Sequence, residues 1–469
     1  MRAGACFTIV SCLGVSLLGG CGGGSGGYSP PPLPGKPTVT ITAPAQATTI
    51  NLGQGVQVKW TTTDATSCAA STSSNIGGAV NSVLDASGTM TVAPIGTGNV
   101  TYTLTCIGVG GTAMATSATI TVAPPILGTL SLASITTIGP TPDPADMGGN
   151  PYGLVIAPKT SGWITAGDLI VCNFNNGAGT EGEGTSLVGL HPTPGSTPYR
   201  IALSPWLKGC NALAMLPDDN ISVAAWTANQ NPLVAPDGTV NTPFSNDTFA
   251  GPWGEAFVPA QGQNPAALYV SNYDGSIDRI TLNGDTQTGF ARIASGFCGS
   301  GEPGSIYAPA GLTYDASIDT LYIVDTSSYS VVAFANISSI GTDGIVVSGK
   351  CQSVAAWPTP MPTFSGPSAA WARVIANGGG FVAPLSAALL ADGDLIVTNS
   401  DINLPDGAMP NLAFEISPVI PGGFVGQPIQ LDNGEPGALF GLATWVDAQG
   451  HQIVYFNDDN NNAVMRITQ

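Results

Sequence analysis

The sequence predicts an all-β chain, a β-sandwich followed by a six-bladed β-propeller, and three observations carry that reading. Charged residues make up only 9% of the 469 positions while Gly supplies 62 and Pro 38, a balance that disfavours helix and favours short strands joined by turns. Residues 37–123 hold β-rich runs with period-two alternation, the pattern of strands with one buried face. Between residues 127 and 469 a strand-pair unit recurs six times, and units that cannot bury their own faces must stack on their neighbours.

The chain begins with one basic residue, Arg2, and an apolar run, Ala5–Leu18, that is too short to span a bilayer and reads as a signal segment, residues 1–20. Leu18-Gly19-Gly20-Cys21 follows it. This resembles the lipobox of bacterial lipoprotein precursors, and the resemblance implies that Cys21 is lipidated and becomes the new N-terminus. Ile9-Val10-Ser11-Cys12 is a second such box with little apolar length ahead of it, and a plain secretory signal is the other reading. In the lipoprotein family an Asp after the lipidated Cys retains the protein at the inner membrane. Gly22 stands there instead, which implies the outer membrane of a bacterial cell envelope. Residues 21–36 are Gly- and Pro-rich and form a tether, and multiple acyl chains would make the anchor stable.

The formal net charge is -19, with 11 Lys plus Arg. No cationic cluster exists to meet phosphates, so nucleic acid is excluded as a partner. Beyond Cys21 the cysteines are Cys68, Cys106, Cys172, Cys210, Cys298 and Cys351, an even set in an exported chain, which points to disulfides over metal sites. Nearness in sequence favours Cys68 with Cys106, Cys172 with Cys210, and Cys298 with Cys351.

In residues 37–123, Trp60 lies eight residues before Cys68 and Tyr102 four before Cys106, so an aromatic pair is expected beside the bridge. The segments VKWTTTDATSC and YTLTCIGVGG resemble bacterial immunoglobulin-like domains of surface proteins, over roughly 85 residues. Because the Trp precedes the first Cys, the bridge is expected to staple a loop to a strand. No catalytic constellation appears here, and the unit reads as a spacer.

The repeat of residues 127–469 starts at Pro151–Val155, Cys210–Ala214, Pro252–Ala256, Pro309–Thr313, Pro384–Ala388 and Leu439–Ala443, and each copy is followed by a second strand ending in a polar turn. The small residue in the first strand lets inner strands crowd toward an axis, and the turn Asn or Asp bonds its own backbone. These repeats resemble NHL repeats, and the resemblance implies a six-bladed propeller; the segment GDLIVCNFNNGAGTEGEGTSLVGL is similar to exported bacterial NHL-repeat proteins. The last copy lacks a fourth strand, and the apolar run 128–138 is the candidate to close the ring.

A propeller binds ligands at the axial mouth. The sequence places Tyr152, Asn211, Trp253, Glu255, Asn173, Asn272, Asp274, Asp325, Asn399, Asp401, Asn457 and Asp458 there. Most are expected to be turn formers. Glu255 stands out because it replaces the apolar Leu of the repeat, and an inner-strand charge must be paired or bound. Tyr152 and Trp253 could offer aromatic faces to a sugar. The favoured reading is a binding scaffold for a protein or glycan ligand, anchored to the membrane by the N-terminal lipid. The alternative is a metal-dependent lactonase of the gluconolactonase-like propeller type, whose axial divalent ion, Ca2+ being the one cofactor it would bring, is held by Glu, Asn and Asp. Asn211 fills one such slot, without a companion Asp at the other starts. A purely structural protein would instead show an apolar, plugged axis. With His191 and His451 as the only imidazoles, a His-rich metal site is excluded and a Ser-His-Asp triad would need one of the two. Gly344–Lys350 mimics a phosphate loop but runs into Cys351 with no helix after it, and reads as chance.

Overall fold

A computed structural model describes residues 35–51, 55–78, 80, 83–92, 94, 97–123, 135–241, 243–244, 249–299, 307–349, 361–378, 380–399, 404, 408–419 and 422–468. Cys21, Cys351 and Asp401, with the signal segment and most of the tether, lie outside them. Helix among the described residues is confined to four three-residue 3-10 turns, so the chain is all-β.

Residues 38–123 form short strands in three small sheets. Alternation sets their faces: in Tyr102–Gly108, Tyr102, Leu104 and Cys106 are buried while Thr103 and Thr105 are half-buried. Trp60, Cys68, Met90, Tyr102 and Cys106 share one core cluster, and the Tyr102 hydroxyl donates to the Gly77 carbonyl at 2.6 Å. The Cys68–Cys106 bridge joins directly opposed residues of two neighbouring strands, Ser67–Thr72 and Tyr102–Gly108. It is thus a strand-to-strand link, not the loop-to-strand staple expected from the order of Trp and Cys, because register rather than sequence order decides which Cβ atoms meet.

The rest of the described chain is a β-propeller. Its sheets begin with the strands Gly149–Ile156, Cys210–Met215, Pro252–Val258, Pro309–Asp315, Pro384–Leu389 and Leu439–Val446. Each of these first strands packs against the next, and Leu439–Val446 returns onto Gly149–Ile156. Close approach explains the repeat glycine: a Cβ on Gly254 would stand 2.1 Å from the Ala310 carbonyl oxygen, and one on Gly441 would stand 2.3 Å from that of Tyr152. First strands of neighbouring sheets do not share a ladder, so their carbonyls need other donors. Side chains supply them: Asn211 reaches the Pro252 carbonyl, Ser271 that of Ala310, Thr326 that of Pro384, and Asn457 those of Tyr152 and Gly153.

Three sheets depart from four strands consecutive in sequence: the second has three strands among the described residues, and the sixth and third recruit strands from elsewhere in the chain. In the sixth, Ile135–Pro140 pairs antiparallel with the C-terminal strand Ala463–Thr468. The third gains Ile345–Ser348 and Thr363–Ser365, which lie between the third and fourth strands of the fourth sheet in sequence. The phosphate-loop mimic is therefore largely strand.

Cys172–Cys210 ties the second strand of the first sheet to the first strand of the second sheet. Cys298 is also disulfide-bonded, and its expected partner Cys351 lies outside the described residues. Both described bridges span 38 residues, so loop closure gives each a contribution of about 4 kcal/mol. That is a larger share of the stability of a unit of roughly 85 residues than of the propeller. In reductant, limited proteolysis is therefore expected to cut first within residues 37–123, and a Cys68→Ala/Cys106→Ala chain should show the same cleavage without reductant.

Candidate functional site

The first strands build the site through a shared irregularity. In all six sheets the pairing of first and second strands slips just after the opening residue: between Pro151 and Leu154, Cys210 and Ala212, Pro252 and Glu255, Pro309 and Leu312, Pro384 and Ser386, and Leu439 and Leu442. Such bulges re-aim a side chain. The residues at the slip, Tyr152, Asn211, Trp253, Leu385 and Phe440, together with Glu255 on the strand beyond, line one cavity of ≈ 90 Å³.

One layer of this axis is aromatic. The Tyr152 ring lies between those of Phe440 and Phe174, at centroid distances of 3.7 and 4.2 Å. Trp253 meets Tyr152 and Phe174 edge-on, at 6.0 and 6.4 Å. Both faces of Tyr152 are thus covered by protein, and Tyr152 and Trp253 are buried. Trp226 and Tyr273 extend the layer outward as a half-buried pair 5.3 Å apart. Acidic groups flank it: burial, reinforced by the charges of Asp458 and Glu181, pushes the Asp459 carboxyl up to about 6.

Glu255 is 6% exposed. Its Oε1 accepts from the Ser222 hydroxyl at 3.2 Å and from the Asn231 amide, whereas its Oε2 makes no hydrogen bond. Burial pushes the carboxyl up to about 8 against the pull of these two donors, so it is mostly the neutral acid at pH 7. Asn211 donates to the Pro252 carbonyl, and its Oδ1 likewise has no partner. The cavity wall therefore offers a carboxylic O–H and an amide carbonyl, a donor and an acceptor, beside aromatic rings. Ser222 and Asn231 carried no signal in the sequence, since only the contact between neighbouring sheets brings them to Glu255.

The other predicted mouth residues are braces. Asn173 donates to Thr141 and Ser186, Asn272 to Ser276 and Asp278, and Asn399 to Gly380, while Asp325 accepts from Ser327 and Ser328. Asp274 accepts from Ser276 and Asp458 from Asn461. The two histidines lie elsewhere. His191 Nδ1 is 2.6 Å from Asp168 Oδ1, and the nearby Ser196 hydroxyl oxygen accepts from the backbone N–H of His191. His451 pairs with Asp447 in an exposed turn.

Fold and site together define a β-propeller with an axial cavity. No protein-family model matches the sequence, and no curated protein does. Among solved structures the chain is similar to virginiamycin B lyase from Staphylococcus aureus, at 11% identity and a TM-score of 0.39, covering 72% of this chain and 99% of that one. It is also similar to a gluconolactonase from Xanthomonas campestris, at 12% identity and a TM-score of 0.44 over 72% and 91% of the two chains. A third is the PQQ-bound aldose sugar dehydrogenase from Streptomyces coelicolor, at 15% identity and a TM-score of 0.44 over 71% and 98%. At these values the propeller assignment stands on the chain's own sheets and its ring of first strands.

Proposed function

We propose that the chain is a lipid-anchored protein of the bacterial outer membrane in which an immunoglobulin-like spacer holds out a six-bladed, NHL-type β-propeller that binds a glycan or protein ligand at its axis. The observation that carries this reading is the pair of buried, unpartnered oxygens on the cavity wall, Glu255 Oε2 and Asn211 Oδ1. Leaving such groups unpaired costs about 1–3 kcal/mol each, and here both face the same cavity, where one ligand could meet them together. A neutral acid and an amide carbonyl beside aromatic rings suit a hydroxyl-bearing ligand, with the Trp226 and Tyr273 pair as its outer platform. The expected result on a glycan array with the purified chain is selective retention that Trp226→Ala weakens at least tenfold; equal retention by that variant sinks the axial platform, and no retention removes the glycan in favour of a protein ligand.

The same two oxygens support a second reading, a lactonase-type propeller in which Glu255 and Asn211 hold a divalent ion that would polarise a lactone carbonyl. The fit is thin, since one carboxyl and one amide fall short of the six to eight oxygens such an ion takes. Ion-dependent lactone hydrolysis that vanishes in Glu255→Gln would establish it over binding alone.

A further inference from the structure

The turn after the first strand of the fifth sheet, remote from the strand starts that form the axial mouth, holds a second cluster. Oxygens of Asp392, Asp394 and Glu415 lie within 4.8 Å of one another. Asp394 is 4% exposed, Glu415 is buried, and Asp392 is half-buried. Asp394 Oδ2 has no hydrogen-bond partner. Burial pushes that carboxyl up, the Ser417 hydroxyl opposes the shift and the negative charge of Asp392 adds to it.

The repeat supplies an internal control. Gly167-Asp168-Leu169-Ile170-Val171 in the first sheet has its counterpart in Gly393-Asp394-Leu395-Ile396-Val397 in the fifth. Asp168 is fully served by protein donors: His191 at 2.6 Å, the Tyr199 hydroxyl at 2.5 Å and the Thr165 N–H at 2.8 Å. Strand register shows what replaced them. Leu169 pairs with Leu190 and Ile170 with Gly189, which pairs in turn with Tyr199. Correspondingly, Leu395 pairs with Ile416 and Ile396 with Glu415, which pairs with Val425. So Ser417 stands where His191 stood, Val425 where Tyr199 stood, and Glu415 where Gly189 stood. At one position of the fold the Tyr199 donor has gone, a serine hydroxyl stands in place of the His191 imidazole, and a carboxylate has arrived.

We propose that Asp392, Asp394 and Glu415, with the buried Ser417 hydroxyl as a fourth oxygen, bind a hard divalent cation of the calcium type. Two buried carboxyls and a third at the surface crowd one desolvated turn, which a bound cation relieves while leaving them ionised, and an all-oxygen set selects Ca2+ over thiolate- or imidazole-preferring metals. Asp392, the half-buried member, gives the ion a path from solvent. The ion would replace the hydrogen bonds that His191 and Tyr199 make in the first sheet, so it would tie the fifth sheet's second and third strands together.

The test is calcium titration of the purified full chain by calorimetry, with terbium luminescence as a second probe and melting temperature in calcium or chelator as a third. One ion per chain and a higher melting temperature in calcium are expected. Asp392→Asn keeps the turn, because an Asn oxygen can still accept the Asp394 N–H at 3.1 Å, and it should weaken binding about tenfold or more, since affinity follows ligand charge. Asp394→Asn should abolish binding, while Asp168→Asn and Glu255→Gln should leave the affinity as it is. The last control separates this site from the axial one, so either can fail alone. No binding at millimolar calcium, or an affinity unchanged in both Asp392→Asn and Asp394→Asn, overturns the proposal.

Discussion

Deletion of Ile135–Pro140 is expected to abolish cooperative folding of the propeller. This strand pairs with the C-terminal strand from Ile135 opposite Ile467 to Pro140 opposite Ala463, and without it Ala463–Thr468 becomes an open edge with unpaired backbone groups. The loss also reaches the first sheet. Ile138 is fully buried in a cluster that joins Leu154, Leu169, Val171 and Val188 of that sheet to Tyr455 and Val464 of the sixth. Just beyond the strand, the Thr141 N–H donates to the Asn462 carbonyl while the Thr141 carbonyl accepts from Asn173, so the same segment hydrogen-bonds both sheets. Ile138→Asp tests the packing alone: an unpaired charge in that core should cost about 4 kcal/mol or more, read as a fall in the urea midpoint. Closure requires the strand and not its place in the sequence, so a permuted chain carrying 135–140 after Thr468 should recover cooperative unfolding. A deletion chain that melts like its parent would show that the ring holds without this strand.

What the sequence disclosed was what physics repeats along the chain. The all-β class followed from alternation and turn residues, and the propeller from the small residue of each copy, which the structure shows pressed to within about van der Waals contact or less of the neighbouring strand at Gly254 and Gly441. The pairings of Cys68 with Cys106 and of Cys172 with Cys210 followed from nearness in sequence, which short loops favour. Less could be read where function depends on contacts between elements. Glu255 was conspicuous as a carboxyl in an apolar slot, but Ser222 and Asn231 meet it only across the junction of two sheets. Tyr152 looked available for stacking, and the structure fills both its faces with Phe174 and Phe440. The acidic cluster of the fifth sheet needs Glu415 opposite Ile396, and a strand does not announce its register locally. Likewise, Ile345–Ser348 pairs into the third sheet although it is inserted in the fourth, a long-range choice with no local mark.

Glu255→Gln is expected to stabilise the protein above pH 8 and to leave it unchanged or slightly less stable near pH 4. The carboxyl sits at about 8 in the folded chain against 4.5 as its ordinary value. Below about 4.5 it is protonated in both states and contributes no pH dependence. Between about 4.5 and 8 the unfolded chain releases the proton while the folded chain keeps it, so stability falls as pH rises, by up to ~5 kcal/mol in all, and levels off above 8. Asp278, Asp394 and Asp459, each pushed up to about 6 by burial, slope the curve of the parent chain in the same direction over a lower range. The difference between variant and parent isolates Glu255. Gln keeps the oxygen that accepts from Ser222 and Asn231, and its amide N–H replaces the acid O–H at the cavity wall, so packing is conserved while the titration is removed. Urea unfolding of both chains at steps from pH 4 to pH 9 should show their stability difference growing in favour of the variant across that interval. A difference independent of pH would mean that Glu255 ionises at an ordinary value in the folded protein. A variant less stable than the parent at pH 8 would mean that the carboxylate is ionised against a bound cation, which is the outcome the lactonase reading requires.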